Sequence, residues 1–145
     1  MTTLTIKVVS TNIELQQVIA IRTKVFVEEQ YVPYELEVDG LDETAEHIIA
    51  HHKNKPIGCA RIRIVENYAK LERLAVLKEY RGQSIGQQLT RFAITYCKTK
   101  PVTEMHLHAQ LPVAGFYETL GFKRYGKEFD EAGIKHIAMC IPLKE

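Results

Sequence analysis

The residues best suited to do chemistry form a short basic turn, Arg81-Gly82-Gln83-Ser84-Ile85-Gly86-Gln87, between an apolar run and an amphipathic segment. Backbone N–H groups in such a turn, and in the first turn of the helix that follows, have no partner within the helix, and the positive end of the helix dipole lies behind them. Glycine at 82 and 86 lets a ligand approach the backbone without meeting a Cβ atom, and arginine at 81 adds a positive charge. The pattern predicts a phosphate-binding turn, although many glycine-containing turns between a strand and a helix bind nothing.

Elements on both sides would hold this turn in place. The apolar run 71–77 predicts a strand, and Pro101 introduces another at 104–109. A short helix follows, and Gly121 would cap it. The helix after the turn is predicted to bury one face, because its apolar residues recur at helical spacing. That face is made of Ile85, Leu89, Phe92, Ala93, Tyr96 and Cys97.

The remaining segments predict one domain over residues 1–145. Alternation over 4–8 predicts a first strand, and Thr11 with Glu14 predicts a capping box that opens a helix lasting until Pro33. Two hairpins are predicted, one with strands at 48–52 and 57–65 and one with strands at 122–129 and 135–141. This order indicates an α+β (mixed α/β) fold, with a largely antiparallel first half and a parallel pair connected by a helix.

Composition excludes several classes of partner. The 145 residues include 19 basic and 18 acidic ones, for a net charge of +1, and neither sign is gathered into a long run. We therefore expect no nucleic acid and no membrane surface as partners. The 3 cysteines are far apart, which argues against a disulfide framework. With no signal peptide and no membrane-spanning run, the sequence predicts a cytoplasmic protein and leaves the oligomeric state open, a homodimer included.

Four segments resemble the GNAT superfamily of N-acetyltransferases. The run 81–86 is similar to that family's R/Q-x-x-G-x-G/A pyrophosphate loop, although Ser84 occupies the first glycine position and needs a backbone that a non-glycine residue can adopt. Residues 110–122 resemble the N-x-x-A-x-x-x-Y-x-x-x-G-F segment, with Gln110 in place of asparagine. Residues 21–42 and 129–136 resemble the ElaA-like branch of small bacterial members.

The resemblance implies a GNAT-like central mixed sheet of about six to seven strands, with flanking helices, that splays apart to form an acetyl-CoA cleft. Acetyl-CoA would serve as a co-substrate, its pantetheine arm pairing with backbone groups of the central strand and its pyrophosphate lying on the amides of the turn. The residues implied in binding it are Leu74, Ala75, Val76, Arg81, Gly82, Gln83, Ser84, Ile85, Gly86, Gln87 and Gln110.

Acyl transfer to an amine requires an unprotonated amine, a group that stabilises the oxyanion, and a proton for the departing sulfur. Tyr117 matches the family's proton donor, although an aromatic at helical spacing also suits a core position. Glu72 is the candidate base, because the two-residue period of a strand places it on the same side as Leu74 and Val76. A salt-bridged Glu72, with water as the base, is the alternative. The Leu74 N–H is a candidate oxyanion donor.

The implied activity is transfer of an acetyl group to a primary amine by direct attack on the thioester. The acceptor would enter between the N-terminal helix and the C-terminal hairpin, where carboxylates suit a cationic amine. Candidate acceptor-binding residues are Arg22, Glu29, Gln30 and Glu131, with Glu37 and Asp39 close by in the same segments. The alternative for Arg22 is a structural ion pair that ties the helix down.

Two other functions compete with this interpretation. A non-catalytic acyl-CoA-binding regulatory module would keep the turn but lose a competent proton donor. A metal-dependent hydrolase would use His106 and His108, which share one strand face. No metal is expected, because neither the spacing of the histidines nor a cysteine pattern completes a known ligand set.

Overall fold

The computed structural model describes residues 4–144 and contains a seven-stranded sheet. The strands are β1 (Leu4–Val8), β2 (Glu46–His52), β3 (Lys55–Val65), β4 (Tyr68–Val76), β5 (Glu104–Gln110), β6 (Lys123–Glu131) and β7 (Ile134–Pro142). Their order across the sheet is β1-β2-β3-β4-β5-β7-β6. The β4–β5 pair is parallel and the other neighbouring pairs are antiparallel, so the predicted mixed fold is confirmed.

Four α-helices accompany the sheet: α1 (Asn12–Arg22), α2 (Tyr34–Glu37), α3 (Ile85–Cys97) and α4 (Ala114–Thr119). The capping box of α1 is present, because the Glu14 N–H donates to Thr11 Oγ1 at 3.1 Å and the Thr11 N–H donates to Glu14 Oε1 at 3.3 Å. The single helix predicted up to Pro33 is wrong. Beyond α1 the chain forms a π-helical segment, Thr23–Glu29, whose wider turn ends with the Gln30 N–H bonded to the Val25 carbonyl at 3.2 Å.

Both predicted hairpins are present, with tighter turns than the sequence indicated. Lys53 and Asn54 connect β2 to β3 with φ values of 50° and 69°, and Ala132 and Gly133 connect β6 to β7 with φ values of 52° and 76°. Two residues with positive φ form the type I′ turn, whose twist matches that of the flanking strands. The strands therefore extend closer to each turn than predicted.

A β-bulge interrupts β4 directly beside the predicted site. Two residues, Arg73 and Leu74, lie opposite Ala60 of β3. Arg73 has a φ of 56°, in the left-handed region that an L-residue adopts only at a cost. The extra residue changes the alternation of side chains between the faces of the sheet.

The bulge separates two residues that the sequence placed together. Glu72 pairs with Arg61, whereas Val76 pairs with Gly58. Arg61 and Gly58 are three residues apart in one strand and therefore lie on opposite faces. Glu72 and Val76 consequently lie on opposite faces, and the prediction of a shared side is wrong for this pair.

Helices cover both faces around β3. A Cβ atom added to Gly58 would lie 3.0 Å from Leu89 Cδ1, so α3 packs on the face of Gly58. Arg61, on the other face, shares Asp42 with Arg22 of α1. The predicted buried face of α3 is confirmed at its centre, where Ile85, Leu89, Ala93 and Cys97 are buried, while Phe92 and Tyr96 are partly exposed.

Pairing between β4 and β5 is short. It runs from Tyr68 opposite Glu104 to Leu71 opposite Leu107, and then the two strands separate. Among residues 4–144, no helix combines the length and apolar character needed to cross a membrane.

Candidate active site

A cleft of about 1090 Å³ opens where β4 and β5 separate. Its walls come from both strands, the turn 81–87, the first turn of α3, helix α4, the π-helical segment and the β6–β7 hairpin. Residues 72–76 of β4 have no partner in β5 within the described chain. An unpaired strand edge can bind an extended ligand as if it were another strand.

The turn at one end of the cleft presents free amides. Within residues 4–144, the backbone N–H groups from Gly82 to Gln87 donate no hydrogen bond, and the first bonded amide is that of Gln88, which donates to Ser84 at 3.0 Å. Ser84 precedes α3 in the left-handed conformation, with φ 66° and ψ 16°. The serine therefore adopts a backbone conformation that favours glycine.

Two glycines keep the turn open. Gly82 has a φ of 79° and no atom within 4 Å of an added Cβ. Gly86 has an ordinary helical backbone, and a Cβ added there would meet only Phe116 Cζ, at 3.7 Å. Packing within the protein does not require glycine at 86, and the missing side chain leaves space in the cleft.

Arg81 faces a side chain from the N-terminal half. Its Nε donates to the Val76 carbonyl at 2.9 Å, and its Nη1 lies 2.9 Å from Glu29 Oε2. Close by, Gln110 Nε2 donates to Gln30 Oε1 at 2.8 Å. Glu29, the last residue of the π-helical segment, and the adjacent Gln30 thus contact two of the residues predicted to bind CoA.

Tyr117 projects from α4 into the cleft lining. Its side chain is 9% exposed and contacts the rings of Phe116 and Phe122 edge to face, with centroids 5.0 and 5.8 Å away. Burial raises the pKa of Tyr117, so the phenol stays protonated at neutral pH. Its hydroxyl has no hydrogen-bond partner within residues 4–144.

Glu72 lies at the opening between the strands and is surrounded by cations. One carboxylate oxygen pairs with Arg61, while the other lies 2.6 Å from Arg63 Nη2 and 3.5 Å from Lys70 Nζ. Burial alone would raise the pKa of Glu72, but hydrogen bonds from Arg63 and Arg61 outweigh burial and lower the pKa to about 2. A carboxylate with such a pKa is a weak proton acceptor.

Arg61 connects Glu72 to further carboxylates beneath the cleft. It is 1% exposed and pairs with Asp39 Oδ2 at 2.7 Å and with Asp42 Oδ1 at 2.9 Å. Arg73, the residue of the bulge, pairs with Glu37 at 2.6 Å and Asp39 at 3.3 Å, and these contacts hold its unfavourable backbone. We call this set the arginine network: Arg22, Glu37, Asp39, Asp42, Arg61, Glu72 and Arg73.

Arg22 belongs to this network and not to the cleft. It is 1% exposed and lies 2.9 Å from Glu37 and 2.8 Å from Asp42. Its position corresponds to the structural alternative, so Arg22 has no direct route to an acceptor. The cleft lining likewise lacks Gln83 and Glu29 but includes the other predicted site residues.

A polar cluster on the opposite wall brings together residues that sequence analysis named separately but did not pair. His108 Nδ1 lies 2.9 Å from Glu131 Oε1, and this hydrogen bond lowers the pKa of Glu131. His136, with its Nδ1 bonded to the Ile134 carbonyl at 2.7 Å, places Nε2 3.8 Å from Glu131 Oε2. All three side chains line the cleft. His108 and Glu131 are 23 residues apart, and only the register of β5, β7 and β6 brings them together.

The two histidines of the hydrolase alternative bind different carboxylates. His106 Nε2 lies 3.0 Å from Glu104 and its Nδ1 lies 2.8 Å from the Tyr125 hydroxyl. Glu104, His106 and Cys140 place one potential ligand atom each within 4.8 Å of one another, and His108 is not part of that group. Both ring nitrogens of His106 are engaged by protein groups.

Comparison with known proteins agrees with this geometry. Residues 9–143 match the family described as the acetyltransferase (GNAT) domain. The chain is 40% identical to YyaT, an uncharacterized protein of Bacillus subtilis, over 92% of this chain and 93% of that protein. The crystal structure of Escherichia coli ElaA superimposes with a TM-score of 0.84 and 27% identity, covering 100% of both chains. An acyl-CoA N-acyltransferase from Pseudomonas aeruginosa gives a TM-score of 0.84 and 29% identity, covering 97% of this chain and 99% of that one.

Proposed function

Because the chain belongs to the GNAT acetyltransferase family, we propose that it transfers the acetyl group of acetyl-CoA to a primary amine by direct attack on the thioester. Family membership makes the protein an acyl-CoA-dependent acetyltransferase, and the resemblance to the ElaA-like branch is confirmed. The main structural support is the separation of β4 from β5 next to a turn whose 6 amides, from Gly82 to Gln87, donate no hydrogen bond within residues 4–144.

The cleft fits the two polar parts of the proposed co-substrate. The pyrophosphate would bind the amides of the turn at the positive end of the α3 dipole. Amides of the pantetheine arm would pair with the free edge of β4 at Leu74 and Val76, with Ala75 between them. Arg81 and Gln110 border this path and would exchange present protein partners for the ligand.

Tyr117 is proposed to protonate the departing sulfur. Its phenol stays protonated at neutral pH, lines the cleft and is not engaged by another group in the described chain. The N–H of Leu74, the second residue of the bulge, is proposed to bind the oxyanion. The low pKa of Glu72 supports the alternative in which that carboxylate is ion-paired and another group takes the proton from the amine.

The acceptor is proposed to reach the thioester from the face that carries the arginine network. Gln30 and Glu131 line the cleft on that side, while Glu29 borders it through Arg81. A carboxylate in a half-exposed position suits a cationic amine. Acceptor identity would follow from a panel of amines, screened by detecting the free thiol of released CoA.

Binding of acetyl-CoA can be tested at one glycine with a matched control. Gly86→Asp should abolish binding in calorimetry, because the new side chain would occupy the cleft and repel the pyrophosphate. Gly115→Asp makes the same change in α4, also in open space but outside the cleft lining, and should bind normally. Equal affinity of both folded variants would place acetyl-CoA elsewhere, and binding without CoA release from any amine would favour a regulatory module.

A further inference from the structure

The point where β4 and β5 separate is flanked by two titratable side chains. Leu71 opposite Leu107 is the last pair of the two parallel strands, so Glu72 and His108 are the next residues on the two sides. The pair before it is Lys70 opposite His106. Because side chains alternate along a strand, Glu72 lies on the face of Lys70 and His108 on the face of His106, so both lie on the face that carries the arginine network. Both Glu72 and His108 line the cleft.

These two residues differ in their partners. Glu72 contacts Arg61, Arg63 and Lys70, and these positive charges hold its lone pairs. His108 contacts one ionised carboxylate, that of Glu131, at 2.9 Å from Nδ1. A carboxylate without a proton can only accept, so Nδ1 carries the proton and the lone pair of the neutral ring is on Nε2.

The position of His108 is fixed on two sides. The Phe129 ring contacts the imidazole edge to face, with centroids 4.9 Å apart at 77°, and Glu131 fixes the tautomer. Charged and titratable groups around it are Glu131 on β6, His136 on β7, and Lys70 and Glu72 on β4. Nε2 of His108 has no hydrogen-bond partner within residues 4–144.

We propose that His108 is the general base that deprotonates the acceptor amine, and that Glu131 is its positioning residue. The proposal rests on the acetyl-transfer activity proposed above. In a series of carboxylate, imidazole and reacting group, the carboxylate orients the imidazole and stabilises its protonated form.

The proposed transfer moves two protons and one acetyl group. His108 Nε2 takes one proton from the ammonium, and the freed lone pair of nitrogen forms the C–N bond to the thioester carbon. The C–S bond breaks with its electron pair on sulfur, which receives the Tyr117 proton. The nitrogen of the acceptor then loses a second proton, and this proton returns Tyr117 to its phenol form. His108 releases to solvent the proton that it took from the ammonium.

The test compares two nucleophiles in the full-length enzyme. The first is the primary alkylamine that gives the fastest CoA release in the panel of amines, and it is protonated at neutral pH. The second is hydroxylamine, which is uncharged at neutral pH. His108→Gln should lower kcat/KM for the alkylamine by about 10²–10⁴-fold, with a much smaller loss for hydroxylamine and an unchanged acetyl-CoA Kd. Imidazole in the buffer should restore part of the activity of His108→Ala.

Controls separate this base from a structural role. His106→Gln removes the neighbouring imidazole on the same strand face and should leave both rates unchanged. Glu131→Gln keeps the ring but loses the charge that orients it, so kcat should fall for the alkylamine. Equal losses for the two nucleophiles in His108→Gln, or activity within a few-fold of wild type, would overturn the proposal. Absence of CoA release by the wild type with every amine would instead contradict the acetyl-transfer activity itself.

Discussion

The two walls of the cleft are built in contrasting ways. On the wall of β3, β4 and α2, each charged side chain of the arginine network contacts at least one opposite charge. On the wall of β5, α4 and the β6–β7 hairpin, the Tyr117 hydroxyl and His108 Nε2 have no partner within residues 4–144. Paired charges fix the shape of the first wall, while the second wall presents polar atoms that have no protein partner in the described part of the chain. Substitutions should therefore reduce stability on the first wall and catalytic rate on the second.

The largest expected effect is on rate, at Tyr117. Tyr117→Phe keeps the edge-to-face contacts and removes a hydroxyl that has no hydrogen-bond partner in the described part of the chain, so the melting temperature should stay close to that of wild type. The rate of CoA release with an active amine should fall by about 10²–10⁴-fold, as for the loss of a general acid. The measurement is steady-state kinetics beside acetyl-CoA calorimetry; activity within a few-fold would make Tyr117 a core residue.

At Arg61 the expected effect is on stability and not on catalytic rate. Arg61→Met would remove a buried guanidinium and leave Asp39, Asp42 and Glu72 with fewer counter-charges in a partly buried setting, and the free energy of unfolding should drop by about 3–5 kcal/mol. Arg124→Met is the matched control, because its pair with Glu118 at 3.1 Å is exposed and contributes at most about 1 kcal/mol. Urea denaturation of both variants measures the contrast, and similar losses would show that the network is no more stabilising than a surface pair.

A smaller effect should appear in the pH dependence of stability. The pKa of Glu72 is about 2 in the folded protein against an ordinary value of 4.5, so its stabilising contribution is present above pH 4.5 and is lost as the pH falls toward 2. The shift corresponds to about 3 kcal/mol, which partial exposure to solvent reduces to about 2 kcal/mol. Unfolding free energies at pH 7 and pH 3 should differ less in Glu72→Gln than in wild type, and an unchanged difference would contradict the ion-paired state of Glu72.

The smallest effect concerns the turn between the walls. Ser84→Gly should relieve the left-handed strain at φ 66°, which costs about 1–2 kcal/mol, against an entropy cost of about 0.5–1 kcal/mol for glycine. The melting temperature should rise by a few degrees, with no change in acetyl-CoA affinity. Ser84→Ala keeps the strain and should give no gain; a gain equal to that of Ser84→Gly would show that the serine hydroxyl, and not the backbone, was unfavourable.

Features that depend on neighbouring residues could be predicted from the sequence. The capping box at Thr11, the hairpins and the turn 81–87 each depend on a few consecutive residues with known conformational preferences. Order and type of the elements follow from periodicity, and the mixed sheet was predicted on that basis. The π-helical segment was not predicted, because the apolar spacing of an α-helix continues through it. No residue type in the segment indicates that the hydrogen-bond partners change.

Features that depend on distant residues could not be predicted. Arg22, Glu37 and Arg61 meet beneath the cleft from three separate elements, and no local pattern shows which carboxylate each arginine selects. The pairing of His108 with Glu131 depends on strand order as well as register. The face of Glu72 was predicted from regular alternation, which the bulge breaks, and no residue between 72 and 76 signals the extra position.

The bulge also confines a change of chain length to one position. β4 contains one residue more than the stretch of β3 that it accompanies, so its second half is out of phase with its first half. A single-residue deletion at Arg73 would leave Leu74 alone opposite Ala60 and restore regular alternation, while Ala75 opposite Cys59 and Val76 opposite Gly58 would keep their partners and faces. The deletion would therefore remove the contacts of Arg73 with Glu37 and Asp39 and leave the start of the turn 81–87 in place.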